Sequence, residues 1–377
     1  MRSPSTGCRL GGVTPETLTG RRLNRATLAR QLLLERESFG PTEAIARLCG
    51  LQAQEPAPPF IGLWTRLAGF EREHLLAALR DREVVRATLM RATLHLLCAG
   101  DYAAFRPALQ PVMERAVRVL GDRAAGLEPE RVLPAARALL LERPRGFNEL
   151  RRLLQEQFPD VSDRALGYLV RTHVPLVMVP TDARWGFPSV ADFTLADTWL
   201  ERRLPAAGTP EGLVLRYLAA FGPASVADAQ SWSGLQGLGR VFDSLRSQLV
   251  VFKGESGRRE LFDLPEAPRP DADVPAPARF LPEFDNLMLA HADRTRLLAD
   301  EHRGALVTKN LRVRAAFLWN GMVAGTWEIE RKRAEATLVM TPFRPLPARA
   351  AKALTAEGED LLRFAADDAT SFKVRIS

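Results

Sequence analysis

From Thr209 onward, short helical periods alternate with turn signals. Thr209-Pro210-Glu211 opens the apolar run "EGLVLRYLAAF", which stops at Gly222-Pro223, a helix with proline in its first turn and a breaker at its end. Ser225 and Asp228 have the spacing of a capping box ahead of "SVADAQSWS", and Gly234 closes that helix. In "GLGRVFDSLRSQLV", Leu238, Val241, Phe242 and Leu245 recur at three- and four-residue steps, which predicts an amphipathic helix. "LVVFK" and "RRELFDL", separated by a Gly254 to Gly257 turn, read as a β-hairpin. Three helices and a two-stranded wing are the order of a winged helix-turn-helix.

Two earlier stretches repeat that order. Residues 128–188 read as "EPERVLPAARALLLE", "GFNELRRLLQEQF" and "VSDRALGYLVRT", then a strand pair "PLVMVP" and "ARWGF". Residues 23–98 read as helices "LNRATLARQLLLE" and "GPTEAIARLCG", two helices around 57–67 and 71–81, and paired strands in "VVRATLMRATLHLLC". The three stretches share element order rather than residues, which points to a tandem arrangement. After Pro265, "PEAPRPDADVPAPARF" reads as an extended connector. Beyond it, "ALVTKN", "VRAAFLWNG", "MVAGTWEIERKR" and "EATLVMTPF" read as short strands, with Asn320-Gly321 as a hairpin turn. A helix, "LPARAAKALTAEGEDLLRFAA", and a last strand, "TSFKVRI", follow.

The expected fold is thus α+β, mainly α: three tandem winged helix-turn-helix units followed by a small C-terminal β-barrel. The expected boundaries are a flexible tail at 1–18, winged-helix units at 19–120, 121–200 and 201–265, a linker at 266–280, and the barrel-like domain at 281–377.

The 377 residues carry a formal charge of +7, and only five of the 52 basic residues are lysines, so the charge is arginine's. A polyanion partner fits that balance, as does a solvated arginine-rich surface. Cys8, Cys49 and Cys98 are isolated thiols without metal or disulfide spacing, which suits a reducing cytoplasm. No run approaches the length of a membrane span, and "MRSPSTGCRLGG" lacks the apolar core of a signal peptide. Neither metal nor cofactor is expected. H-E-x-x-H and paired cysteines are missing, and "GLQGLG" sits within a helix-turn-helix rather than after a strand.

In "LQAQEP", Gln52 and Gln54 stand two residues apart, so in an extended segment both amides point one way. They would either hold a water molecule or brace a loop. Glu55 would then point the opposite way, to a surface or ion-pairing role, and is a stronger base beside the pair. By strand alternation Arg91, Thr93 and His95 form a polar stripe, either lining a channel near the glutamines or facing solvent.

"LQAQEP", "RATLHLLCAGDY", "RYLAAFGPASVADAQSWSGL" and "LPEFDNLMLAHADR", in this order, resemble the winged-helix DNA glycosylases of the AlkZ/YcaQ-like family over about residues 20–375. The resemblance implies three winged helices and a β-barrel around a basic channel that takes double-stranded DNA. It also implies a catalytic glutamine, an aliphatic residue, then glutamine or aspartate. Gln52-Ala53-Gln54 matches the two-glutamine version, associated with genotoxin self-resistance and crosslink unhooking. The aspartate version would need Asp at 54.

Glutamine is neutral and cannot take a proton from water; it can only position. That suffices for N7-alkylguanine or N3-alkyladenine, which already carry positive charge and leave as neutral bases. The expected activity is therefore monofunctional glycosylase chemistry on cationic N-alkylpurines in duplex DNA, by a monomer. No lysine lies near the pair, so a Schiff-base lyase is not expected. The competing expectation is a non-catalytic winged-helix DNA-binding protein or transcriptional regulator. Candidate DNA contacts are Arg86, Arg171, Arg240, Arg246, Lys253, Arg258 and Arg259, together with Asp285, His291 and Arg294 from "LPEFDNLMLAHADR", a segment also suited to packing the C-terminal domain against the rest.

Overall fold

The computed structural model describes residues 15–255, 257, 259–308 and 312–377. Three sheets organise the helices. The six-stranded sheet runs in the order Leu51–Gln52, Leu94–Cys98, Val84–Thr88, Leu176–Met178, Asp192–Leu195, Arg145–Gly146, with antiparallel neighbours. Residues 23–98 and 128–188 therefore do not carry separate wings. Their hairpins meet edge to edge at Ala87 and Val177 and share one sheet.

The helices of 128–188 are Pro129–Glu142, Phe147–Gln157 and Asp163–His173. The strand expected at "ARWGF" is not formed; Leu176–Met178 pairs with Asp192–Leu195 instead. Thr181 N–H donates to the Gly186 carbonyl at 2.8 Å and closes a turn around Gly186, whose φ is +76°. That turn lays Trp185 edge-on against Phe60 at 5.2 Å and buries Phe187, so aromatic burial wins over strand pairing.

Between 209 and 263 the order read from the sequence is present. Helices Pro210–Phe221, Val226–Ser233 and Gly239–Leu245 precede strands Val250–Gly254 and Glu260–Asp263. Ser225 and Asp228 make both bonds of the capping box, and Gly234 ends the second helix at φ +81°. Thr17–Leu18 adds a parallel strand to this wing, and Arg30 reaches Asp263 through two bonds of 2.7 and 2.8 Å with both side chains buried. The proline-rich connector is strapped to the helix Gly20–Arg30, where Arg21, Arg25 and Arg30 donate to the carbonyls of Ala272, Val274 and Pro268.

The C-terminal sheet runs Arg279–Leu281, Ala316–Trp319, Met322–Lys332, Glu335–Pro342, Ser371–Ile376. The barrel expected here does not close, because the first and last strands lie at opposite edges. Its apolar face is covered by helix Ala348–Ala365, which sets Leu354, Leu361 and Leu362 against Phe280, Phe317, Leu338 and Met340. That burial removes the need for the sheet to curl onto itself. The strand expected at "ALVTKN" is replaced by a helical turn, Arg303–Leu306, with Leu306 fully buried and Val307 bridged to Val313. Among the described residues no helix is long and apolar enough to cross a membrane.

Candidate functional site around Gln52 and Gln54

The chain leaves helix Pro41–Arg47 through Cys49 and Gly50, both at positive φ. A side chain at Gly50 would press on the Leu96 carbonyl and Leu97 at 3.1 Å, so glycine is required for the strand to enter there. Leu51 and Gln52 then pair with Leu96 and His95 at the sheet edge, and Ala53 N–H donates to the Leu94 carbonyl at 2.8 Å.

Two distant side chains clamp this backbone. Asn286 accepts from Gln52 N–H at 3.1 Å and donates through Nδ2 to the Gly50 carbonyl. Arg86 donates from Nε to the Ala53 carbonyl at 2.9 Å and from Nη2 to the Gln54 carbonyl at 3.0 Å. Asn286 is held in turn by its neighbour Asp285, which makes two 2.9 Å bonds to Arg66 and caps the following helical turn. The polar density of "LPEFDNLMLAHADR" points to the segment, but no local pattern marks Asn286 or Arg66 as partners of the glutamine backbone.

The Gln52 side chain is engaged as well. Arg91 Nη2 donates to Gln52 Oε1 at 2.7 Å and lies 3.5 Å from His95 Nε2, while Arg91 Nη1 donates to the Trp232 carbonyl. His95 Nδ1 lies 2.9 Å from the Thr93 carbonyl; since a carbonyl only accepts, Nδ1 carries the proton and Nε2 offers its lone pair toward Arg91. Burial first, then Arg91, press the His95 imidazole down to about 3, so it is neutral at physiological pH. Burial, with Arg294 beside it, lowers the Arg91 guanidinium to about 10, which leaves it charged.

The polar stripe expected at Arg91, Thr93 and His95 is rearranged. Arg91 lies in the turn at φ +53°, Thr93 bonds the Met90 carbonyl, and His95 is almost wholly buried, so only Arg91 reaches the glutamine. Gln54 is half-buried, its side chain makes no hydrogen bond with the described residues, and Glu55 is exposed.

Of the candidate DNA contacts, Arg86, Arg171 and Arg294 surround the segment. Burial lowers Arg86 to about 10, with Glu55 opposing and Arg171 adding to the shift, and Arg171 Nε faces Thr88 Oγ1 at 3.4 Å. Burial, and then Arg303, lowers the Arg294 guanidinium from its ordinary value. Arg240 is exposed, and Arg246 is exposed and paired with Glu260 at 2.7 Å. Lys253 is half-buried on the wing strand, and Arg259 is exposed 3.9 Å from Asp293. Arg258 lies outside the described residues. Asp285 and His291 are sealed in the interior, Asp285 by Arg66 and His291 against the Phe221 carbonyl, where burial and then Arg296 press its imidazole down. Neither reaches a phosphate; they join the C-terminal region to the rest.

Two neutral amides thus stand among guanidinium groups drawn from the Val84–Thr88 strand, the Met90–Ala92 turn, the Asp163–His173 helix and the C-terminal region. Such a set can hold a polyanion and position water, and the one imidazole in it does not titrate near neutrality. Residues 45–364 match the family model described as DNA glycosylase AlkZ-like, and the chain belongs to that family of DNA-acting enzymes. The interstrand DNA cross-link repair glycosylase of Streptomyces sahachiroi is 26% identical over 358 residues, spanning 89% of this chain and 94% of that protein. The solved structure of Streptomyces sahachiroi DNA glycosylase AlkZ shares the fold with a TM-score of 0.79 at 22% identity, over 96% of this chain and 100% of that one.

Proposed function

We propose that this DNA glycosylase hydrolyses the N-glycosidic bonds of cationic N-alkylpurines, N7-alkylguanine and N3-alkyladenine, in double-stranded DNA, and unhooks interstrand crosslinks built on such adducts. The observation that carries the reading is that the two side chains at the site are uncharged amides with no protonated imidazole beside them. Its nearest imidazole is buried, neutral and turned toward Arg91, leaving no imidazolium to protonate a leaving base. A base that is already cationic needs no such proton. Its departure is limited by charge developing at C1′, which positioned amide dipoles can meet.

The curated relative is named for interstrand cross-link repair, and the family match covers most of the chain; both support extending the substrate range to crosslinks. The helices packed around the six-stranded sheet are read as gripping the duplex through Arg171, Arg294 and the wing residues Arg246, Lys253 and Arg259, while the buried Arg86 holds the glutamine backbone. The enzyme acts as a monomer on the nucleoid in the cytoplasm, without cofactor, and leaves an abasic site. Incubation with methylated duplex DNA releases N7-methylguanine and N3-methyladenine, and a crosslinked duplex yields single strands on a denaturing gel after the abasic site is cleaved. Absence of both products overturns the proposal. Activity on uracil-containing duplex equal to that on methylated duplex also overturns it, since uracil leaves as an anion.

A further inference from the structure

If water meets the glycosidic carbon at Gln52 and Gln54, as proposed above, the two amides are unlike in their surroundings. Arginine has five N–H donors and no acceptor. The Gln52 atom that faces Arg91 at 2.7 Å is therefore oxygen, and the neighbour dictates which way the amide is turned. Its Nε2 then points away from Arg91. That nitrogen makes no hydrogen bond with the described residues and is not completely sealed from solvent. The amide has little freedom to turn over. Its backbone is held by Asn286, by the Ala53–Leu94 bond and by Arg86 on the next two carbonyls, and Arg91 is anchored to the Trp232 carbonyl.

Gln54 differs in its side chain. Arg86 fixes its backbone carbonyl, but its side chain is half-buried and makes no hydrogen bond with the described residues. We propose that Arg91 is a positioning residue that divides the glutamines into unlike roles: Gln52 donates from Nε2 to the oxygen of the attacking water, and Gln54 accepts a hydrogen from that water through Oε1. Water held in this way keeps one lone pair for C1′. The C1′–N bond breaks with its electron pair going to the cationic purine, which leaves neutral. The water oxygen bonds to C1′, and the surplus proton passes to bulk solvent, since an amide cannot keep it. Arg91 also polarises the amide it holds, which strengthens the N–H donors.

The test is single-turnover release of N7-methylguanine from methylated duplex DNA by the full chain and a set of variants. Gln54→Glu keeps an acceptor and is expected within about tenfold of the parent, whereas Gln52→Glu removes the donors and is expected to lose about 100-fold or more. Arg91→Met lowers kcat about 30-fold with KM changed less than about threefold, and Arg91→Lys, still donor-only, recovers part of it. Added to Gln52→Ala, Arg91→Met costs less than about threefold further, because the two act as one unit. Equal activity of the two glutamate variants overturns the division of roles. A loss from Arg91→Met that is the same with and without Gln52 overturns the positioning role and marks Arg91 as structural. If the parent releases no base, the substrate reading fails instead. The orientation is then read from the side-chain amide NMR signals of Gln52, which must shift in Arg91→Met; unchanged signals overturn it.

Discussion

Two hairpin turns in this molecule place consecutive residues in left-handed backbone, and they do so with opposite chemistry. In the C-terminal sheet the residues are Asn320 and Gly321, at φ +51° and +82°. Asparagine and glycine tolerate that region, and the turn is built for its sheet. At the site they are Arg91 and Ala92, at φ +53° and +56°, where neither side chain favours the conformation and the cost is on the order of 1–2 kcal/mol each. The first turn also docks well: Asn320 Oδ1 accepts from Arg21 and Arg25, and Asn24 donates to the Gly321 carbonyl at 2.8 Å. The second turn packs closely on Gly234, where an added side chain would lie 3.2 Å from the Arg91 Cα. Where residues agree with geometry the turn serves stability. Where they conflict, the strained position is the one that carries the guanidinium onto Gln52.

This contrast can be broken at several strengths. Replacing both Gln52 and Gln54 by alanine should lower base release by about a thousandfold or more while the melting temperature moves little, because positioning is lost and no buried apolar group is. Substantial residual release would detach the site from the strained turn altogether. At the opposite hairpin, Gly321→Ala should cost about 3 kcal/mol in denaturant unfolding, with activity per folded molecule intact. The added carbon would meet Arg25 Nη1 at 2.5 Å and Asn24 Oδ1 at 2.6 Å, and the positive φ strains it further. A neutral effect there would deny that the Asn-Gly turn is a stability device.

Acid separates the two hairpins next. The folded-state value of His95, about 3, lies below its ordinary 6.5, so between those values the unfolded chain binds the extra proton. Stability is complete above about 6.5 and is lost as pH falls; from pH 7.5 to 5 the loss from His95 is about 2 kcal/mol. Hydrogen exchange should show residues 94–98 losing protection before residues 322–342. Base release should be flat between pH 6.5 and 8.5, since neither amide titrates, and a bell-shaped profile would require another group. The smallest effect is at Ala92→Gly, which relieves one left-handed alanine: stability should rise by about 1 kcal/mol with activity within about threefold. A destabilised Ala92→Gly would show that the turn is not strained at Ala92.

Local signals were sufficient for much of the architecture. The capping box at Ser225 and Asp228, the proline start at Pro210, the glycine stop at Gly234 and the Asn320-Gly321 turn each specify geometry within a few residues, and each formed as read. The failures were decisions about partners. "ARWGF" has strand-like residues, but Trp185 and Phe187 gain more against the helices of residues 58–80 than in a ladder. The C-terminal strands were recognised one by one, whereas closure depended on whether their apolar face would meet itself or the helix Ala348–Ala365.

The sequence by itself determined the helices and capping signals of residues 209–263, the Asn320-Gly321 turn, the excess of arginine and the two glutamines spaced to share a face, because these depend on neighbours within a turn or two of chain. Only the tertiary structure decided which arginine binds Gln52, that His95 is buried and neutral, and that Asn286 holds the glutamine backbone from 234 residues away. Those outcomes rest on burial and on hydrogen bonds between segments far apart in the chain. The free energy of such contacts is set by what surrounds a group once the chain has folded, and no local pattern encodes it.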